Sequence, residues 1–272
     1  MQNYCVKDGK LINFREYSEL IPSARSVVYE VLRVINGVPL FEEEHYKRLN
    51  ISILSVNNKF ETYAIEKLTD WVKKLITAEK IDIGNIKIEV DLCLENHCLS
   101  TFYCYRLPHF YPSTENYKKG VKVSVLEIER PAPNTKMIRT DYNQLVMKEI
   151  ESRKVFEVFL KNHAGLLTEG SKSNILLLKN NTVYSAPDNL ILKGITRQIV
   201  QQICEENQIQ FETTSIHSSD LPTYQAACIT GTSPKVLPIS DIDDCKFDIN
   251  HPILLKLMQL YNSKIEDYLK NY

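Results

Sequence analysis

The stretch GLLTEGSKSNILLLKNNTVYSAPDNLILKGITR, residues 165–197, decides the reading of this chain. An acid, Glu169, sits in a Gly/Ser-rich turn. Two short apolar runs follow, residues 174–178 and 182–186, joined by Asn180-Asn181, a pair that tolerates the positive φ of a tight hairpin turn. Gly194 then opens a helix whose apolar positions Ile195, Ile199, Val200, Ile203 and Cys204 share one face. At its start the backbone N–H groups of Ile195 and Thr196 have no partner one turn back, and the positive end of the helix dipole points the same way. Such a start can hold an anion. The stretch therefore offers an anion seat and a fixed carboxylate.

Outside it, the 272 residues allow two modest domains, each with its own core. Hydrophobic and charged fractions of 43% and 25% are those of an ordinary globular protein. A formal charge of −1 gives no field to attract nucleic acid or an anionic membrane, so the partners expected are small molecules. The opening residues, MQNYCVKDGKLINF, lack a signal-peptide pattern, and no apolar run is long enough to cross a bilayer, so a cytoplasmic location is expected. Seven cysteines, scattered singly and several within apolar runs (Cys93, Cys104, Cys204, Cys228), read as reduced core residues. No cysteine–histidine grouping has zinc spacing, and no metal is expected.

In chain order, residues 27–35 form a β-branched apolar strand closed by Asn36-Gly37. Residues 42–57 are an amphipathic helix with Leu49, Ile53 and Val56 on one stripe, and 65–80 a second, with Leu68, Trp71, Val72 and Leu75 inward. Residues 86–94 and 99–105 form a hairpin around Glu95-Asn96-His97. The segment 108–119, PHFYPSTENYKK, has two prolines and no periodicity, which places a boundary there: a small N-terminal α/β domain over 1–110, a linker over 111–120, and a larger α/β domain over 121–272. In the latter, residues 129–136 run extended to Lys136, and 143–155 are helical with Leu145, Val146 and Ile150. The run 158–160 is strand. Residues 226–239, AACITGTSPKVLPI, read as strand, turn, strand, and 251–269 as a helix with Ile253, Leu254, Leu257, Leu260 and Tyr261 as its apolar stripe.

TEGSKSNILLL followed by ILKGITRQIV resembles the class IV, fold-type IV aminotransferases that use pyridoxal phosphate, the group of D-amino-acid and branched-chain aminotransferases and aminodeoxychorismate lyase. YEVLRVINGVPLFEEEHYKRL resembles the N-terminal signature of the same family, and the likeness runs from about Val27 to Ile239. It implies a two-domain α+β fold, pyridoxal 5′-phosphate in the inter-domain cleft, a homodimer, and amino-acid and 2-oxo-acid substrates. Carried over residue by residue, Arg48 matches a phosphate-binding arginine, and its planar, permanently charged fork suits that role. Ile195 and Thr196 at the helix start and Thr232, with Ser233 beside it, complete the phosphate set.

Lys136 matches the family's Schiff-base lysine by its distance from Phe156-Glu157, which places that lysine in the larger domain. Glu169 matches the acid that faces the pyridine nitrogen. Taken alone, Arg48 would be a solvated helix residue and Glu169 a turn acid capping nearby N–H groups; the set gives them their roles. His45, Arg106 and His109 are read as structural. Two stretches depart from the family: the usual Asp-Arg-Gly…Gly-Asp-Gly run is replaced by LIPSARSVV, residues 20–28, and MIRTDYN stands where branched-chain enzymes place Asn-Tyr. The activity implied is transfer of an amino group between a branched-chain or D-amino acid and a 2-oxo acid. The alternatives are aminodeoxychorismate lyase or a non-catalytic pyridoxal-phosphate binder.

Overall fold

The computed structural model describes residues 2–20, 26–93, 100–130, 132–138 and 140–272. Most of the rebuilt LIPSARSVV stretch and the Glu95-Asn96-His97 turn lie outside these residues. The chain divides into two compact units: residues 1–110 with 135–138 and 268–272, and residues 111–134 with 139–267.

The first unit is built from β1 (Tyr4–Lys7), β2 (Lys10–Asn13), α1 (Phe14–Leu20), β3 (Ser26–Ile35), β4 (Val38–Pro39), α2 (Glu42–Val56), α3 (Ile65–Glu79), β5 (Gly84–Leu92) and β6 (Thr101–Leu107). Its six strands form one antiparallel sheet in the order β2-β1-β6-β5-β3-β4. The Asn36-Gly37 turn has φ of 52° and 74°, the doubly left-handed hairpin turn that Asn-Gly favours. Alternation along β3 sends Val28, Leu32 and Val34 to one face, where they meet Ile86, Ile88 and Val90 of β5 and Leu49, Ile53, Leu68, Val72 and Leu75 of the two helices. Each such side chain contributes about 1.5–3 kcal/mol by leaving water. The first two strands and α1 carried no strong periodic signal and were not anticipated.

Lys136 belongs to this unit, which corrects its expected place in the larger domain. The cause is backbone pairing: Tyr29 N donates to Lys136 O at 2.9 Å, Ile138 N donates to Val27 O at 3.0 Å, and Met137 bridges Val28. Residues 135–138 thus return to the open edge of β3.

The second unit holds α4 (Thr114–Lys119), β7 (Val121–Glu127), α5 (Thr140–Arg153), β8 (Glu157–Lys161), β9 (Leu166–Gly170), β10 (Asn174–Lys179), β11 (Thr182–Ser185), α6 (Ile195–Glu206), β12 (Gln210–Thr213), β13 (Ile216–His217), β14 (Ala226–Gly231), β15 (Lys235–Ile242), β16 (Cys245–Lys246) and α7 (Pro252–Asn271). The last residues of α7 are counted with the first unit. Its sheet runs β12-β11-β10-β14-β15-β7-β8-β9-β13, with β16 against β15. The stretch expected as a linker contains α4 and belongs to this unit: Ser113 and Asn116 form a reciprocal capping box that starts the helix, and Tyr117 packs against the unit's core. In α5, Val146 is buried as expected but Leu145 is exposed. The scattered cysteines Cys104, Cys204 and Cys228 are buried thiols, and burial pushes Cys204 up to about 12.

Candidate active site

Glu169 lies on β9 rather than in a turn. β9 pairs antiparallel with β8, and its alternation buries Leu167 and Glu169 while leaving Thr168 half-buried. The Gly/Ser turn begins just after it, at Gly170. The Glu169 carboxylate is 2% exposed and meets two donors, Arg130 Nη1 on Oε1 and the backbone N–H of Leu192 on Oε2, each at 2.9 Å. Arg130, in the proline-broken approach to Lys136, was not recognised as a partner from sequence.

Three segments far apart in sequence gather around Asn174, at the start of β10. Asn174 Nδ2 donates to Leu192 O at 2.9 Å, just before the start of α6. Gly194 caps that helix with no side chain, and a Cβ there would stand 2.0 Å from Asn174 Oδ1. Asn174 is also opposite Thr230 of β14, so the 231–233 turn leaves the sheet beside the Ser171–Ser173 turn; a Cβ on Gly231 would be 3.8 Å from Ser173 Cβ. The structure therefore brings Glu169, the helix start carrying Ile195 and Thr196, and the turn carrying Thr232 and Ser233 to one end of the second unit's sheet. Thr196 Oγ1 is 3.3 Å from Tyr261 Oη, and Arg197, fully buried, donates from Nε to Ser185 Oγ at 2.7 Å and pairs with Asp188 at 3.0 Å. These contacts fix the first turn of α6 in place.

The Ser171–Ser173 turn is itself built on a second buried acid, Glu157, which sequence reading used only as a spacing mark. Glu157 accepts from Lys172 N at 2.6 Å, from Ser171 Oγ at 3.2 Å and from Ser173 Oγ at 3.0 and 3.1 Å. Burial still wins over these bonds and holds its carboxyl above the ordinary range.

In the first unit, Arg48 is 8% exposed and is gripped at two points by Glu30 of β3, Nε to Oε1 at 2.6 Å and Nη2 to Oε2 at 2.8 Å. His45 Nδ1 reaches Glu30 Oε2 at 2.9 Å. Burial drives the His45 pKa down despite that carboxylate, so the ring is neutral at pH 7 and the contact is a hydrogen bond in which Nδ1–H donates. For Glu30, burial alone would raise the pKa, but the Arg48 charge and the three bonds outweigh it and hold the carboxyl below the usual range. Glu30 is the member that sequence reading missed; its alternation with Val28 and Leu32 on the apolar face of β3 was the available signal. Lys136 is half-buried, its N–H donates to Ser52 Oγ of α2 at 3.4 Å, and its Nζ lies 5.0 Å from the centre of the Tyr29 ring. Of the seven residues expected at the site, two are therefore in the first unit and five in the second.

The second unit thus holds a buried acid beside an uncapped helix start, and the first unit a buried arginine and a half-buried lysine. The family model of amino-transferase class IV matches residues 27–242, and the chain belongs to that family. It is an aminotransferase, which sets aside the non-catalytic alternative. A D-alanine aminotransferase of Bacillus licheniformis is 27% identical over 79% of this chain and 78% of its own length. The branched-chain aminotransferase of Thermoproteus uzoniensis, solved with norvaline, superposes with a TM-score of 0.85 at 21% identity over 99% of this chain and 98% of its own. A putative 4-amino-4-deoxychorismate lyase of Legionella pneumophila gives 0.79 at 19% identity, over 90% and 97%. The fold is that of the fold-type IV enzymes, and the family implies pyridoxal phosphate.

The residues present fit that group. At Gly194 a Cβ would strike Asn174 Oδ1, so this helix start carries no capping side chain, and its N–H groups suit a phosphate. Glu169 is a buried carboxylate, the kind of acceptor that a protonated ring nitrogen needs. Arg48, buried and held by a carboxylate, supplies a fixed cation.

Proposed function

We propose that this aminotransferase uses pyridoxal 5′-phosphate to move an amino group between an amino acid, branched-chain or of D configuration, and a 2-oxo acid. Arg48, the N–H groups of Ile195 and Thr196, the Thr196 hydroxyl, Thr232 and Ser233 would hold the phosphate. Lys136 would carry the cofactor covalently through Nζ, and Glu169 would keep the ring nitrogen protonated, since an opposite charge raises its proton affinity. The bound group supplies an electron sink for the substrate's Cα. Lys136 Nζ would take the proton from the substrate's Cα as general base and, as general acid, deliver it to the carbon that the cofactor contributes. The observation that carries this reading is the gathering of Glu169, the Gly194 helix start and the 231–233 turn around Asn174. The substrate class rests on the activities of the relatives named above, and the homodimer and cytoplasmic location on the family resemblance.

The test is borohydride reduction of the protein loaded with pyridoxal phosphate, followed by peptide mass mapping and by amino-transfer assays with L- and D-amino acids and 2-oxo acids. A pyridoxyl group fixed on Lys136, together with transfer that Lys136→Ala abolishes, is the expected result. Label elsewhere or none would refute the assignment of Lys136, and pyruvate release from aminodeoxychorismate without amino transfer would move the chain to the lyase activity.

A further inference from the structure

The face of the first sheet opposite the α2/α3 core should be the plainer one, since antiparallel sheets commonly leave one face polar. Instead it carries a charged pair inside an aromatic box. Strand alternation puts Lys87 and Glu89 of β5 on this face, and register sets Tyr29 of β3 and Tyr103 of β6 opposite Glu89, with Tyr105 opposite Lys87. Glu89 is 2% exposed; it accepts from Tyr17 Oη at 2.7 Å and from Tyr105 Oη at 2.9 Å, and Lys87 Nζ stands 2.6 Å from its Oε1. Burial opposes the charge on Glu89, but Lys87 and the hydroxyls overcome it and hold the carboxyl below its ordinary range. Lys87 Nζ in turn lies 5.4 Å from the centre of the Tyr29 ring and 6.0 Å from that of Tyr105, within the range of cation–π attraction.

The Tyr29 ring is shared. Lys136 Nζ stands 5.0 Å from its centre, so the two ammonium nitrogens are separated by no more than the sum of their distances to one ring. A lysine ammonium has three donors, and Glu89 takes one. The Lys87 side chain keeps 19% of its surface, against 3% for Glu89, so the cation rather than its counter-ion is the member a small solute can reach.

We propose that Lys87 is a specificity-determining residue that binds a carboxylate of the amino-acid and 2-oxo-acid substrates, with Glu89, Tyr17 and Tyr105 as positioning residues that aim it. Every amino-acid substrate brings a carboxylate two bonds from the reacting nitrogen, and a dicarboxylic one brings a second further out. A cation held within one aromatic ring's reach of Lys136 can take either. The proposal rests on Lys136 being the cofactor lysine.

The experiment uses the pyridoxal-phosphate-loaded enzyme and the variants Lys87→Met and Lys87→Arg. Borohydride labelling of Lys136 is checked first in all three; absence of label in the wild type overturns the cofactor assignment, and this proposal with it. With label present, propionate and glutarate, which have no amino or oxo group, are titrated calorimetrically, and kcat and KM are measured with alanine and pyruvate and with glutamate and 2-oxoglutarate. Lys87→Met is expected to lose at least tenfold in probe affinity and to raise KM at least tenfold while kcat changes less, and Lys87→Arg is expected to recover most of both. Loss on propionate and alanine as well as on the dicarboxylates assigns Lys87 to the carboxylate nearest the reacting carbon; loss on the dicarboxylates alone assigns it to the distal one. Equal probe binding and KM in Lys87→Met and wild type, or no probe binding by the wild type, overturns the proposal. Should Lys87→Met fail to fold, Lys87→Gln decides: probe affinity and KM equal to those of the wild type overturn the proposal.

Discussion

Replacing Glu30 with Gln isolates the buried charge cluster of the first unit. Glu30 is fully buried and accepts from Arg48 Nε, Arg48 Nη2, His45 Nδ1 and the Val31 N–H. The amide keeps the shape but removes the charge and turns one acceptor into a donor that faces donors. Arg48 is then a cation 8% exposed that has lost the Glu30 carboxylate from its fork. Breaking a buried ion pair from one side costs about 3–5 kcal/mol, and the surviving amide oxygen places Glu30→Gln at the lower end, at about 3 kcal/mol. For a chain of this size each kcal/mol moves Tm by about 2–4 °C, so a fall of about 6–12 °C is expected by circular dichroism.

The pH dependence supplies the control. The Glu30 pKa is lowered in the folded state, so its contribution is fully present above the ordinary carboxylate value of 4.5 and is lost as pH falls towards the folded pKa. The gap between wild type and Glu30→Gln should therefore narrow below about pH 4. A loss under about 1 kcal/mol at pH 7 would refute the reasoning, because that is the size of a solvated surface pair. A gap that stays constant as pH falls would show that the charge on Glu30 is not what stabilises the cluster.

Glu157 responds to pH in the opposite sense: its folded pKa is raised, so the wild type should lose stability as pH rises from the ordinary carboxylate value of 4.5 to that raised value, and Glu157→Gln should flatten this part of a urea-unfolding profile. An unchanged slope would mean that the acid is solvated. Gly194→Ala brings a Cβ to 2.0 Å from Asn174 Oδ1 at a φ of −65°, which any residue adopts, so its effect is steric: a cost of about 1–3 kcal/mol and a loss of at least tenfold in pyridoxal phosphate affinity by spectral titration. Unaltered cofactor affinity would remove the helix start from the phosphate site. At Gly9, where φ is +81° and a Cβ would stand 2.3 Å from Trp71 Nε1, alanine combines strain with a clash and should lower Tm without touching cofactor binding in the same titration.

Periodicity made the long elements legible: α2, α3 and α7 start and stop within a residue or two of the expected bounds, and α6 starts just after Gly194 as expected, because an apolar stripe and a turn signal agree there. Local composition misled where it spoke louder than alternation. The Gly/Ser run after Glu169 pointed to a turn, yet strand pairing with β8 claims Glu169 and leaves the turn to Gly170 onward. The return of residues 135–138 to β3 had no local signal at all, since pairing across a hundred residues depends on an open sheet edge that the segment itself does not encode. Charge partners were hidden for the same reason. Arg48 and Glu169 were found as single residues with a chemistry that suits them, while Glu30 and Arg130 became visible only once register and loop path brought them within 3 Å. Lys87 and Glu89 mark the border between the two cases. Their i, i+2 spacing already put them on one face of a strand, but the tyrosines that make that face a box come from α1 and two other strands, and the cation's relation to Lys136 runs through the ring of one of them. Function in this sheet is therefore written in cross-strand register, the one quantity that a single strand's pattern does not contain.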